Sequence, residues 1–202
     1  MRRFVYSASS SAYGDTPTLP KTIEMRPQPL SPYAVSKLAA EHYCACWAHV
    51  YGLQTVSLRY FNVFGPRQDP ASAYAAVIPA FVSRMLKGEP PIIFGDGEQS
   101  RDFCFIDNVV QANMLGAEAR ELHGEVVNVA CGQRTTLNQI VADINKLLGT
   151  RIQPEYRPAR AGDVRHSLAE VSEARRVLGY EPRIMFPEGL QRSIAWYKAN
   201  LA

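Results

Sequence analysis

The sequence predicts an α/β fold: a parallel sheet covered by helices, followed by a smaller mixed α+β part. Three features carry that expectation. The chain opens as strand, loop, helix, strand with short connections, the parallel crossover unit of an α/β sheet. Its longer helices bear recognisable start and stop residues. Beyond Arg67 the texture changes to short apolar runs divided by turns and further helices.

Taken in order, Phe4 to Ala8 reads as a short buried strand, and Ser9 to Leu30 as a loop rich in Ser, Gly, Asp and Pro. A helix follows, with Ser31 able to cap it, Pro32 suited to its first turn and Gly52 beyond its end. Thr55 to Phe61 is a strand, and Asn62 to Arg67 is a turn-rich exit. Ile78 to Lys87 reads as a helix with Pro79 in its first turn, Pro91 to Phe94 as a strand, and Gly95-Asp96-Gly97 as a tight turn. Phe103 to Ile106 is a strand, and Asp107 can cap a helix running to about Arg120. Glu125 to Ala130 is an apolar strand. Thr136 caps a helix to Leu148 that Gly149 stops, and helices near Glu173–Leu178 and Glu188–Ala199 close the chain.

Tyr33 and Lys37, in the segment Y-A-V-S-K, are the candidate chemical pair. At i, i+4 on a helix they share one face, one turn apart. A phenol is a poor base at neutral pH. A cation one turn away favours the ionised phenol, which can then take a proton from a bound hydroxyl. The same spacing occurs on many solvated helices, so the pair gains meaning only from context. Ser9, followed by Ser10 and Ser11, ends the first strand. Ligands of open α/β sheets bind beyond the carboxyl ends of strands, where such hydroxyls can reach the same substrate oxygen.

Taken together, Y-S-A-S-S-S-A-Y-G-D, S-P-Y-A-V-S-K, L-R-Y-F-N-V-F-G-P-R, I-F-G-D-G-E-Q-S-R-D-F-C-F-I-D-N and P-A-R-A-G-D-V-R-H-S resemble the extended short-chain dehydrogenase/reductases. Within them the likeness is to the epimerase/dehydratase branch typified by UDP-glucose and UDP-N-acetylglucosamine 4-epimerases. It covers nearly the whole chain. It implies the C-terminal part of a Rossmann-like doubly wound parallel sheet in residues 1–66. A nucleotide-sugar-binding domain would occupy 67–202, with a strand near 125–130 returning to the sheet. It also implies bound NAD, a UDP-sugar substrate and, at full length, a homodimer in the cytoplasm.

The resemblance assigns roles residue by residue. Tyr33 would be the acid/base, with Lys37 and Tyr60 at the cofactor and Ser9 or Ser10 assisting at the 4-hydroxyl. Asn62, Arg101 and Arg160 would meet the diphosphate, a task that suits guanidinium geometry. Phe94 would stack on the uracil, Val77 would pack at the nucleotide, and Asp163 would take a ribose hydroxyl. Ser167 falls at a gate position lining the hexose pocket, where a small residue leaves room for an N-acetyl group. With Gln68 it looks like an N-acetylhexosamine pocket. The sugar 4,6-dehydratases carry Thr-Asp-Glu where this chain has Ser-Ser-Ser-Ala, so the carboxylates for elimination are missing and 4-epimerisation is favoured. A nucleotide-sugar decarboxylase, or a binding remnant without catalysis, stays open beside it.

A dinucleotide-binding fold should open on a Gly-rich turn, and no G-x-G-x-x-G or G-x-x-G-x-x-G occurs here. The chain begins where a fifth strand is expected, which puts roughly 100 or more residues upstream. These residues alone are therefore expected to bind NAD poorly and turn over little. The formal net charge of +3 is spread without a basic stripe, which argues against a nucleic-acid partner. No apolar run reaches membrane-spanning length. Of the four cysteines, only Cys44 and Cys46 are close, and at i, i+2 on a helix they point apart, so reduced structural thiols and no metal are expected.

Overall fold

The computed structural model describes residues 3–70, 76–159 and 164–201. Strand β1 (Arg3–Ser9) pairs in parallel with β2 (Gln54–Tyr60), and helix α1 (Pro32–Tyr51) makes the crossover between them. The Ser31 hydroxyl accepts the Ala34 N–H at 3.1 Å, and Gly52 closes the helix in the left-handed region at φ 66°. Both signals stand one residue outside the helix, as the sequence predicts.

The other edge of β2 pairs in parallel with β7 (Glu125–Val129), giving the sheet order β1-β2-β7. The register sets Ser9 beside Tyr60 and Tyr60 beside Val129, so all three strands end at one edge. β2 is buried along most of its length, as a central parallel strand should be. Side chains alternate faces along a strand. The odd-numbered face of β2 meets α1, where Thr55 Oγ1 donates to the Cys44 carbonyl at 2.9 Å. The even-numbered face meets helix α3 (Ile106–Glu118), which approaches through Gly116; a Cβ there would lie 3.2 Å from Val5 and Val56. Helices on both faces of a parallel sheet make the arrangement doubly wound.

The remainder is built from short pairs. β3 (Asn62–Phe64) runs parallel to β6 (Phe103–Phe105), β4 (Ile92–Phe94) runs parallel to β9 (Glu155–Arg157), and β5 (Ser100–Arg101) is antiparallel to β8 (Thr135–Thr136). Helices α2 (Val77–Leu86), α4 (Leu137–Leu148), α5 (Ser172–Leu178) and α6 (Phe186–Leu201) complete the chain. Phe64, Phe103, Phe105 and Phe186 pack ring to ring at the centre of an apolar core, with centroids 5.5 to 6.1 Å apart.

Some local expectations change. Asn62 to Phe64 is a strand, not part of a turn; its partner β6 lies about forty residues on, beyond any local signal. Asp107 does not cap α3. The chain passes from β6 into the helix without a turn, so Phe105 takes the cap position and Asp107 sits in the first turn, 3.4 Å from Arg192. Thr136 and Gly149 do bound α4, through a 3.1 Å bond from Gln139 N–H to Thr136 Oγ1 and a φ of 71°. Cys44 is buried and Cys46 exposed, on opposite sides of α1.

Candidate functional site

A cavity of about 560 Å³ opens beyond the carboxyl ends of β1 and β2, against the first turns of α1. Ser9, Ser10, Tyr33, Lys37, Tyr60 and Asn62 all line it, with Arg101 and Ser167 opposite. Residues spread over 158 positions, from Ser9 to Ser167, thus meet because three parallel strands end together and the later segments fold over that edge.

Tyr33 is the second residue of α1 and is 56% exposed, its ring turned to the cavity. Lys37, one turn on, places Nζ 5.9 Å from the Tyr33 ring centroid and 5.4 Å from that of Tyr6. The same Nζ donates to the Ser7 carbonyl at 2.9 Å, which ties the helix face to β1. An ammonium held there by a backbone oxygen is a fixed charge beside the phenol.

Ser9 has a structural duty. Its Oγ accepts the Ser11 N–H at 3.2 Å and the Ser11 hydroxyl at 2.9 Å, capping a 3-10 turn over Ser10–Tyr13. Ser10 opens that turn. The Tyr60 ring faces the cavity, but its hydroxyl meets Ser7 Oγ at 3.1 Å and Asn113 of α3 at 2.8 Å.

Asn62 Nδ2 donates to the Asp102 carbonyl at 3.2 Å and to Ser167 Oγ at 3.1 Å. Asn62 and Arg101 also line a second cavity of about 470 Å³, with Val77 and Phe94 on its walls. Arg101 Nη1 donates to the carbonyls of Ser100 and Arg165, at 3.1 and 3.0 Å, so its guanidinium is oriented by backbone. The two cavities therefore meet at one asparagine and one arginine. Gln68 lines neither. Its carbonyl accepts the Tyr197 hydroxyl at 2.8 Å, which holds that stretch towards α6. Arg160 and Asp163 lie outside the described residues.

Sequence reasoning missed several supports. Glu41 follows Lys37 by another four residues, so Tyr33, Lys37 and Glu41 share one helix face. Glu41 binds Arg59 of β2 through two bonds of 2.9 and 2.5 Å, both residues 3% exposed. The Arg59 guanidinium lies 4.7 Å from the centre of the Tyr13 ring, and the Tyr13 hydroxyl donates to Asn128 Oδ1 at 2.7 Å. One buried network thus ties α1, β2, the serine turn and β7 together. An arginine within an apolar strand was the legible signal, since a buried cation needs a partner. Lys21 reaches the cavity wall but is buried, with Nζ donating to Thr16.

A family model described as the NAD dependent epimerase/dehydratase family matches residues 1–130. The fold superposes on a UDP-N-acetylglucosamine 4-epimerase from Methanobrevibacter ruminantium M1, solved in complex with UDP-N-acetylmuramic acid, at TM-score 0.94 and 42% identity, over 98% of this chain and 64% of that one. A UDP-glucose 4-epimerase from Thermotoga maritima, solved with UDP-glucose, matches at TM-score 0.94 and 39% identity, over 100% of this chain and 65% of that one. The UDP-glucose 4-epimerase of Mycolicibacterium smegmatis is 35% identical over 98% of this chain and 63% of its own length. The chain spans just under two thirds of each of these relatives. With such matches along nearly its whole length, and with the serine turn, the Tyr33–Lys37 helix and Asn62 gathered at one sheet edge, the chain belongs to the NAD-dependent epimerase/dehydratase family.

Proposed function

We propose that this chain supplies the acid/base and nucleotide-sugar-binding parts of an NAD-dependent UDP-sugar 4-epimerase, acting on UDP-N-acetylglucosamine and UDP-N-acetylgalactosamine. The observation that carries the reading is the meeting of two cavities at Asn62 and Arg101. A nucleoside diphosphate sugar is long, with its charge in the middle. The uracil would stack on Phe94 beside Val77, the diphosphate would lie at Asn62 and Arg101, and the hexose would reach Tyr33. Residues 1–66 then belong to the cofactor-binding domain and 67–202 to the sugar-nucleotide domain, with β7 returning to the sheet.

The residues at the cavity fit NAD. Lys37, tied to the Ser7 carbonyl at the cavity wall, would donate to a ribose beside Tyr33 and the Tyr60 ring. Bound NAD would supply the redox chemistry, reversible hydride exchange at C4 of the sugar. The protein moves the proton: Tyr33 Oη removes it from the 4-hydroxyl and gives it back to the 4-keto oxygen after the sugar has turned. Ser10, on its capped turn, orients that oxygen, and the small Ser167 leaves room for an N-acetyl group. The 42% identity to an enzyme named for UDP-N-acetylglucosamine supports the same substrate.

The free state of all four cysteines supports a cytoplasmic setting. Among the described residues no helix is long and apolar enough to cross a membrane. Tyr43, Trp47 and Tyr51 stand 50 to 69% exposed along α1, in a groove shared with Phe4 and Tyr6 of β1, and a second copy packed against this helix would cover them.

The test is conversion of UDP-N-acetylglucosamine by the natural full-length protein, followed by NMR. UDP-N-acetylgalactosamine should accumulate to equilibrium, and Tyr33→Phe should slow this by roughly 10²- to 10⁴-fold. Conversion of UDP-glucose alone would overturn the N-acetyl assignment. UDP binding without conversion of any UDP-sugar would leave a binding protein.

A further inference from the structure

Asp102 follows Arg101 directly, is 0% exposed, and forms no ion pair among the described residues. Its carboxylate is satisfied by backbone. Oδ1 accepts the Cys131 N–H at 2.9 Å, and Oδ2 accepts the N–H groups of Gly132 at 3.0 Å and Ala169 at 3.1 Å. Two of these amides lie just beyond the end of β7, and the third is two residues past Ser167. The backbone of Asp102 faces the other way. Its N–H points to Ser167 Oγ at 3.4 Å, and its carbonyl takes Asn62 Nδ2. Ser167 N–H in turn donates to the Ser100 carbonyl at 3.0 Å. One residue therefore joins the segment carrying Ser167, the strand carrying Arg101, and the exit of β7.

We propose that Asp102 is the positioning residue of the sugar-nucleotide wall, clamping the Ser167–Ala169 segment to the end of β7 so that Ser167 and Arg101 keep a fixed spacing from Asn62. It touches no substrate and acts through those three residues; the inference rests on the UDP-sugar reading of the cavities. Only a carboxylate suits this place. It offers two acceptor oxygens and no donor, matching three converging N–H groups. A carboxamide of the same shape turns an N–H₂ towards N–H donors. Burial pushes the Asp102 carboxyl up to about 6 despite those amide bonds.

The clamp is tested first on the unaltered full-length protein, by amide hydrogen exchange with and without UDP. Protection of the Cys131, Gly132 and Ala169 amides should rise together on binding. Protection confined to the Ser167 side would overturn the clamp. Asp102→Asn is the second arm. It should raise KM for the UDP-sugar by roughly tenfold or more, as misplacement of binding groups does. It should leave kcat within about threefold and speed exchange at those three amides first. Equal loss in kcat and kcat/KM with faster exchange everywhere would mark a merely structural residue and sink the proposal. Where Asp102→Asn does not fold, Asp102→Ser, which keeps one acceptor without the charge, takes its place. If unaltered protein fails to bind UDP at all, the functional reading itself falls and this inference with it; UDP binding without concerted protection refutes the clamp alone.

Discussion

The two sides of the cavity each rest on a buried carboxylate, and the two are neutralised by opposite means. On the sheet side Glu41 meets the Arg59 guanidinium, one charge against another, between a helix of 20 residues and the central strand. On the sugar-nucleotide side Asp102 meets three backbone N–H groups from two loops. An ion pair joins two elements that already have ladders and caps of their own. Convergent amides gather segments held otherwise by single bridges, Lys21 to Ala169 and Ser100 to His166. The difference teaches that regular structure needs only a pin, whereas short irregular pieces need a hub.

Breaking the ion pair should have the largest effect. Arg59→Leu leaves Glu41 buried without its cation and should cost ~3–5 kcal/mol in urea unfolding. The double substitution Arg59→Leu with Glu41→Leu should recover most of that loss. A double variant as unstable as the single one would show that Arg59 acts mainly through the Tyr13 ring.

Loss of the hub should come next. Asp102→Asn should cost ~1–3 kcal/mol near neutral pH through mismatched hydrogen bonds. Its pH signature runs the other way from that of a salt-bridged acid. The folded protein holds the Asp102 proton up to about 6, above the ordinary carboxylate range, so the native state binds more protons than the unfolded one between those limits. Stability from this group is full at low pH and falls as pH rises to about 6. The deficit of Asp102→Asn relative to the natural protein should therefore shrink between pH 4 and pH 7. A deficit constant across that range would contradict the buried, titrating carboxylate.

The smallest effects should be the helix caps, one on each side. Ser31→Ala and Thr136→Ala each remove one side-chain acceptor from a first turn and should lower stability by ~1 kcal/mol. Similar values would show that the two regions differ in how segments are gathered, not in how their helices are closed. A negligible loss at Thr136 would mean that β8 pairing already fixes that end.

What was legible follows the same division. β1, β2 and β7 are apolar runs, and α1 and α4 carry their caps and glycines in the sequence. β3, β5, β8 and β9 are two or three residues long, and each finds its partner 34 to 63 residues away, so no local pattern announces them. At the site, Tyr33, Lys37, the serine turn, Asn62, Arg101 and Ser167 were legible because recognisable motifs carry them, and they line one cavity. Gln68 does not join them, since the Arg67 backbone turns at φ 67° and Tyr197 holds the next carbonyl. Glu41 and Asp102 were missed because their partners come from distant strands and from backbone, and backbone leaves no mark in a sequence.

The exposed aromatic stripe of α1 also gives the protein an optical reporter. The sequence has two tryptophans, and they fall in different regions. Trp47 is half exposed on α1, its ring 4.5 Å from Tyr51, while Trp196 on α6 packs against Tyr197 at 5.2 Å and borders the aromatic core. Emission from Trp47 therefore samples a wetter setting than that from the partly buried Trp196. Any surface that covers α1 shifts the first to the blue and leaves the second unchanged, so a Trp196→Phe protein would show the covering of this helix as a change of colour.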